Sequence, residues 1–135
     1  MDYYQTKIAP IAGTTVGDVM NTARRIFRQA VRSGRRRPYI RSAYFGKEKV
    51  FLDNFWPHIY QKSFNERPKR LRFMPCAFEL VRYSRVLPVI TLDSNDSYNI
   101  LYRFKGKATT GQIFYVQIKE DKKRKQKFLM SVFPE

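Results

Sequence analysis

The chain has 135 residues, 43% of them hydrophobic, with 27 Lys+Arg against 11 Asp+Glu and a formal net charge of +16. That length holds one domain, with room for an N-terminal extension and enough apolar material for a core. The charge repels itself and does nothing for folding, but it concentrates polyanions, so nucleic acid is the first partner to consider and an acidic protein the second.

No segment has the length and apolarity of a membrane helix, and none reads as a cleavable signal. Cys76 is the single cysteine, so an intrachain disulfide is excluded, and a reducing cytoplasm fits the composition. Cys76 and His58, each the only one of its type, give no zinc-ligand spacing.

Residues 1–14 carry little pattern and read as an irregular arm. A helix is expected from 15 to 33, capped by Thr14 or Thr15 and ended by Gly34. Val16, Val19, Met20, Ala23, Ile26, Phe27, Ala30 and Val31 recur there at helical steps. Arginines flank that stripe and run on into Arg35, Arg36 and Arg37, after which Pro38 blocks simple continuation.

A short strand is expected at 50–52. Asp53 or Asn54 then caps a helix over 55–62, with Pro57 tolerated in its first turn. A basic stretch with Arg67, Lys69, Arg70 and Arg72 follows, and Pro75 opens a helix over 75–84. A strand at 88–92 leads to a turn of Asp, Ser and Asn at 93–97. Three strands close the chain, at 98–105, 112–119 and 127–133, with short connections that favour antiparallel neighbours.

Strands grouped after helices indicate an α+β class: N-terminal helices followed by a four-stranded, mostly antiparallel sheet. Residues 1–46 would form the arm and basic helix, and 47–135 the functional domain.

Successive side chains on a strand alternate between faces. Phe104, Val116 and Val132 mark one apolar set, with Phe128 and Met130 expected on the same side. The opposite set gathers Arg103, Lys105, Tyr115, Gln117, Lys119 and Ser131, with Leu129 and Phe133 among them. Cations, a phenol and a hydroxyl on one sheet face suit a phosphate and the charge that develops on it during phosphodiester cleavage.

His58 suits the roles of base for a 2′-hydroxyl and acid for a leaving 5′-oxygen, because imidazole titrates near neutrality. The plain alternative is a histidine packed beside Trp56 and Tyr60. Lys62 lies one helical turn on and shares its helix face. Arg103 offers a planar fork to phosphate oxygens. Arg35, Arg36, Arg37, Arg41, Arg70, Arg72, Lys105, Gln117 and Lys119 are candidates for holding RNA. Walker, dinucleotide and nucleophile-elbow signatures are all missing.

This layout resembles the barnase–EndoU–colicin–RelE superfamily of small ribonucleases, in its phage and mobile-element branch. The likeness is carried by the strand at 50–52, the helix at 55–62 with His58, the helix at 75–84 with Pro88, and the closing strands. The end Ser131-Val132-Phe133-Pro134-Glu135 is similar to the hydroxyl-bearing last strand of such domains. The match spans about 47–135.

The resemblance implies metal-independent transesterification at the 2′-hydroxyl, with no cofactor. It implies His58 as acid or base, Arg103 as stabiliser of the phosphorane, and Ser131 as holder of a phosphate oxygen. Many relatives carry a second histidine or a glutamate that has no obvious equivalent here. Tyr115, Lys62 or Lys105 would fill that role, or nothing would. The reading is a toxin restrained by an acidic antitoxin or immunity protein, with a ribosome as a further candidate partner. Its rivals are a non-catalytic RNA- or DNA-binding module and a structural protein of a phage or ribosome-like particle.

Overall fold

The computed structural model describes residues 2–31, 37–95 and 98–135. Arg35 and Arg36 lie outside that set, as does Gly34.

The first element is a two-residue strand, β1 (Tyr4–Gln5), followed by α1 (Val16–Ala30). Thr15 caps α1 by accepting from the Asp18 N–H. The helix stops at Ala30 because Val31 turns extended. Then come β2 (Tyr39–Ser42), β3 (Glu48–Phe51), α2 (Phe55–Tyr60), α3 (Glu66–Leu71) and α4 (Met74–Tyr83). The chain closes with β4 (Val89–Leu92), β5 (Asn99–Lys107), β6 (Ile113–Asp121) and β7 (Gln126–Pro134). β2 and α3 fall where the sequence suggests only basic connections.

The class is α+β, but the expected arrangement of N-terminal helices and a four-stranded antiparallel sheet is wrong. Among the described residues the sheet has seven strands, is mixed, and curls into a half-barrel. Its order is β1-β5-β6-β7-β3-β2, with β4 also beside β5. The antiparallel run β4-β5-β6-β7 is present inside it. Two of the three additions are parallel, β3 against β7 at Val50–Lys127 and Phe51–Phe128 and β1 against β5, while β2 runs antiparallel to β3. A parallel neighbour needs a long connection, here α2 to α4 and then β4 to β6 between β3 and β7, and local periodicity cannot announce it.

Nor does packing break at residue 46. Ile11, Val19 and Ala23 belong to the same core as Phe55, Leu71, Phe78, Val116 and Val132. The N-terminal arm is anchored by the buried Glu79 of α4, whose carboxylate accepts from the Lys7 N–H at 3.0 Å and the Ile8 N–H at 2.9 Å. Arg72 forks to the Ile11 and Gly13 carbonyls at 3.0 and 2.8 Å. Residues 74 to 81 of α4 are buried throughout, which makes it the central helix of the molecule. Cys76 is fully buried there, and burial pushes its thiol up to about 11. None of the described helices is long and apolar enough to cross a membrane.

One register matters for the site. Gln117 pairs with Ser131, but the next residue, Ile118, pairs with Leu129. Met130 is therefore an extra residue in β7, a β-bulge. Leu129 and Val132 both enter the core, while Ser131 and Phe133 share the other face. Strict alternation wrongly places Leu129 outward and Phe128 inward. The bulge swaps them, and Phe128 stands opposite Lys119.

Candidate functional site

The outer face of β5, β6 and β7 is built in cross-strand rows. Arg103, Gln117 and Ser131 form one, and Lys105, Tyr115 and Phe133 the next. Residues directly opposite one another on neighbouring strands bring their side chains within contact distance. Arg103 donates to the Gln117 amide oxygen at 3.4 Å, and Ser131 is 9% exposed at the end of that row.

Phe133 is the hub of the cluster. Tyr115 stacks on it with ring centroids 5.5 Å apart. The guanidinium carbons of Arg103 and Arg70 each lie 5.6 Å from the centre of the same ring. Arg70 arrives from α3, which packs with α2 against β7. These helices can reach it because β3 pairs only with the start of β7 and leaves the stretch beyond Phe128 for them. Arg70 is held near Glu66, with its Nε 3.8 Å from the carboxylate, and that Nε is buried with no hydrogen-bond partner.

His58 is half-buried in α2. Its pKa is lowered, first by burial and then by the nearby Lys62 and Arg70 charges. Arg70 lies against the ring that Arg103 and Tyr115 share, and its charge is felt at His58. Lys62 follows α2 and remains beside His58, and its carbonyl accepts from Arg67 at 3.2 Å.

The Tyr115 hydroxyl donates to the Glu135 carboxylate at 2.6 Å. Its pKa is raised chiefly by that hydrogen bond, with Arg103 opposing. The phenol therefore keeps its proton across the neutral range.

The candidates divide by what they touch. Arg70, Arg103, Tyr115, Gln117, Ser131 and Lys105 come together around the outer face, while His58 lies on α2, which packs against β7, and Lys62 follows that helix. Lys119 shares that face further along, opposite Leu101 and Phe128. Arg72 ties down the arm and does not front the face. Arg37 is engaged by Asp53 and lies over the Phe51 ring at 4.1 Å.

Arg41 belongs to a separate concavity of about 700 Å³, lined also by Tyr39, Lys47, Arg82, Tyr83 and Arg85. Its guanidinium donates to the Lys47 carbonyl at 2.9 Å.

Sequence reasoning missed two members. Phe133 looks like a defect in a polar face when read alone, yet it orders the cations. Glu135 is the only acid that the described geometry places against Tyr115. A carboxylate two residues beyond a strand phenylalanine gives no periodic signal, and only the pairing of β6 with β7 carries it to Tyr115. No family model, curated protein or solved structure matches the chain.

Proposed function

We propose that this chain is a metal-independent endoribonuclease, a toxin acting on RNA in the cytoplasm, which cleaves by attack of the 2′-oxygen on the adjacent phosphorus. The observation that carries the reading is the gathering of Arg103, Arg70 and Tyr115 on the Phe133 ring of β7, against which α2 with His58 also packs. A proton donor and two guanidinium groups then share one ring, and a base stands on a helix packed against the same strand.

His58, neutral at pH 7 because its pKa is lowered, takes the 2′-hydroxyl proton. The P–O2′ bond forms and the P–O5′ bond breaks. Tyr115 turns its one hydroxyl proton from Glu135 to the leaving 5′-oxygen, and the Arg103 charge stabilises the phenolate left behind until it regains a proton. The products are a 2′,3′-cyclic phosphate and a 5′-hydroxyl. Arg103 and Arg70 face the charge that grows on the phosphorane. Ser131 and Gln117 position a phosphate oxygen, and Lys62 keeps His58 deprotonated.

A second reading is a non-catalytic RNA-binding module. The exposed cations beside the stacked Tyr115–Phe133 pair favour it, because aromatic rings on a sheet face also serve to stack bases.

Cleavage of total RNA in excess chelator separates the two. His58→Ala is expected to slow cleavage by about 10²–10⁴-fold, the usual worth of a positioned acid or base. Arg103→Ala is expected to slow it by about 10²–10³-fold. Salt-sensitive RNA binding should survive in His58→Ala. Intact RNA with the wild type, both with and without added ribosomes, would favour the binding module.

A further inference from the structure

β4 is an apolar strand with one edge unused. All of its residues are exposed: Val89 is 45%, Ile90 55% and Leu92 62% accessible, and Leu87 just before it is 73%. Among the described residues β4 pairs with β5 alone. Sheet edges are usually protected by charges, prolines or bulges. Here Pro88 stops short of the strand, and Val89, Ile90, Thr91 and Leu92 carry no charge. A row of backbone donors and acceptors with apolar side chains on both faces is a template for adding a strand.

The charges around it say what adds. With a net charge of +16, a second copy of this chain is repelled. Arg85 precedes the strand, and Lys122 and Lys123 lie beyond its far end, where the Lys122 N–H donates to the Tyr98 carbonyl and the Lys123 ammonium sits over the Tyr98 ring.

Val89 is in register with Arg103, so the two share the outer face. A strand added beside β4 would place the residue opposite Val89 on that face, about 10 Å from the Arg103 backbone, two strand spacings away. Arg103 is turned the other way, to Gln117 and the Phe133 ring, and its side chain spans that gap with a glutamate once it swings back over β4. Ile90 and Leu92, in register with Tyr102 and Ile100, would meet apolar residues on the opposite face.

We propose that the free edge of β4 docks an extended segment of an acidic protein partner. That segment pairs with β4, turns apolar side chains to Ile90 and Leu92, and turns carboxylates toward Arg103. If the ribonuclease reading holds, such a strand silences the site by neutralising Arg103. The docking itself does not depend on that reading.

The test uses the full chain, no RNA, and two synthetic peptides. One alternates Ile with Glu, and the other alternates Asn with Glu at the same charge. Binding is followed by fluorescence anisotropy and by backbone hydrogen exchange. The alternating Ile/Glu peptide is expected to bind and to protect residues 89–92. It should bind about tenfold more tightly than the Asn/Glu peptide. Ile90→Lys combined with Leu92→Lys, at surface positions that do not threaten folding, should cost about tenfold, and Arg103→Gln should also weaken binding.

Equal affinity for the two peptides, or no effect of the paired lysines, would overturn the proposal in favour of simple polyanion attraction. A wild-type dimer in sedimentation that the paired lysines dissolve would overturn it in favour of a second copy. Peptide binding by a protein that leaves RNA intact would sink the ribonuclease reading and leave this one standing.

Discussion

At the scale of single residues, His58 has the most consequential environment. Burial and two neighbouring cations favour its neutral form in the folded chain. The unfolded chain, with an ordinary imidazole near 6.5, binds the proton more readily. Stability linked to this group is therefore complete above about pH 6.5 and is lost as pH falls from there toward the lowered folded value. Melting temperatures between pH 7.5 and 4.5 should show this loss, and His58→Ala should remove part of it. A His58→Ala protein with the same pH dependence as wild type would contradict the assigned environment. The acid limb of any RNA-cleavage profile should likewise fall below 6.5.

Phe133 teaches the complementary lesson. Read as one letter in an alternating pattern, it argues against a polar site. In the fold its ring is the surface shared by two guanidinium groups and a tyrosine, and aromatic faces attract cations.

At the scale of elements, two details of β5 to β7 set the geometry. The first is the Met130 bulge, which lets β7 send Leu129 and Val132 inward and still bring Ser131 and Phe133 to the outer face. The second is Gly106, which faces Phe114 across β5 and β6. A Cβ at Gly106 would lie 2.3 Å from the Phe114 ring, so the ring is seated where other residues have a side chain. Gly106→Ala is expected to destabilise the fold by about 1–3 kcal/mol, the usual range for overpacking. Chemical denaturation reads this directly, and an unchanged midpoint would mean that Phe114 moves aside without cost.

The strand alternation, the Thr15 cap of α1 and the proline start of α4 were all legible because each is a local preference. The bulge was not legible, since one inserted residue leaves composition unchanged. Asn54 shows how a local signal is diverted. It occupies the N-cap position of α2, yet its side chain donates to the Met130 sulfur at 3.6 Å and does not cap the helix.

At the scale of the molecule, the N-terminal arm is the part most misjudged by its featureless sequence. β1 pairs with β5, Ile11 enters the core, and Glu79 and Arg72 hold the intervening backbone. Removing residues 2–14 takes these donors from the Glu79 carboxylate, uncovers it and empties the place of Ile11 in the core. Loss of a buried isoleucine side chain costs about 2–5 kcal/mol, so the truncated chain should unfold at markedly lower denaturant. A truncated protein of wild-type stability would mean that the arm is ornamental.

The sequence by itself determined the quantities that are local or summed: the basic charge, the positions of most helices and strands, and the apolar stripe of each. The polar set that includes Arg103, Tyr115 and Gln117 belongs there too, because side-chain period follows from backbone geometry alone. Only the tertiary structure decided which strands pair. It set β3 and β1 parallel to distant neighbours and enlarged the expected four-stranded sheet to seven strands among the described residues. It also decided that Arg70 meets the ring shared by Arg103, and that among the described residues one edge of β4 stays unpaired. Each of these is a choice among distant segments, settled by the burial and hydrogen bonding of the whole chain, and no window of neighbouring residues contains that comparison.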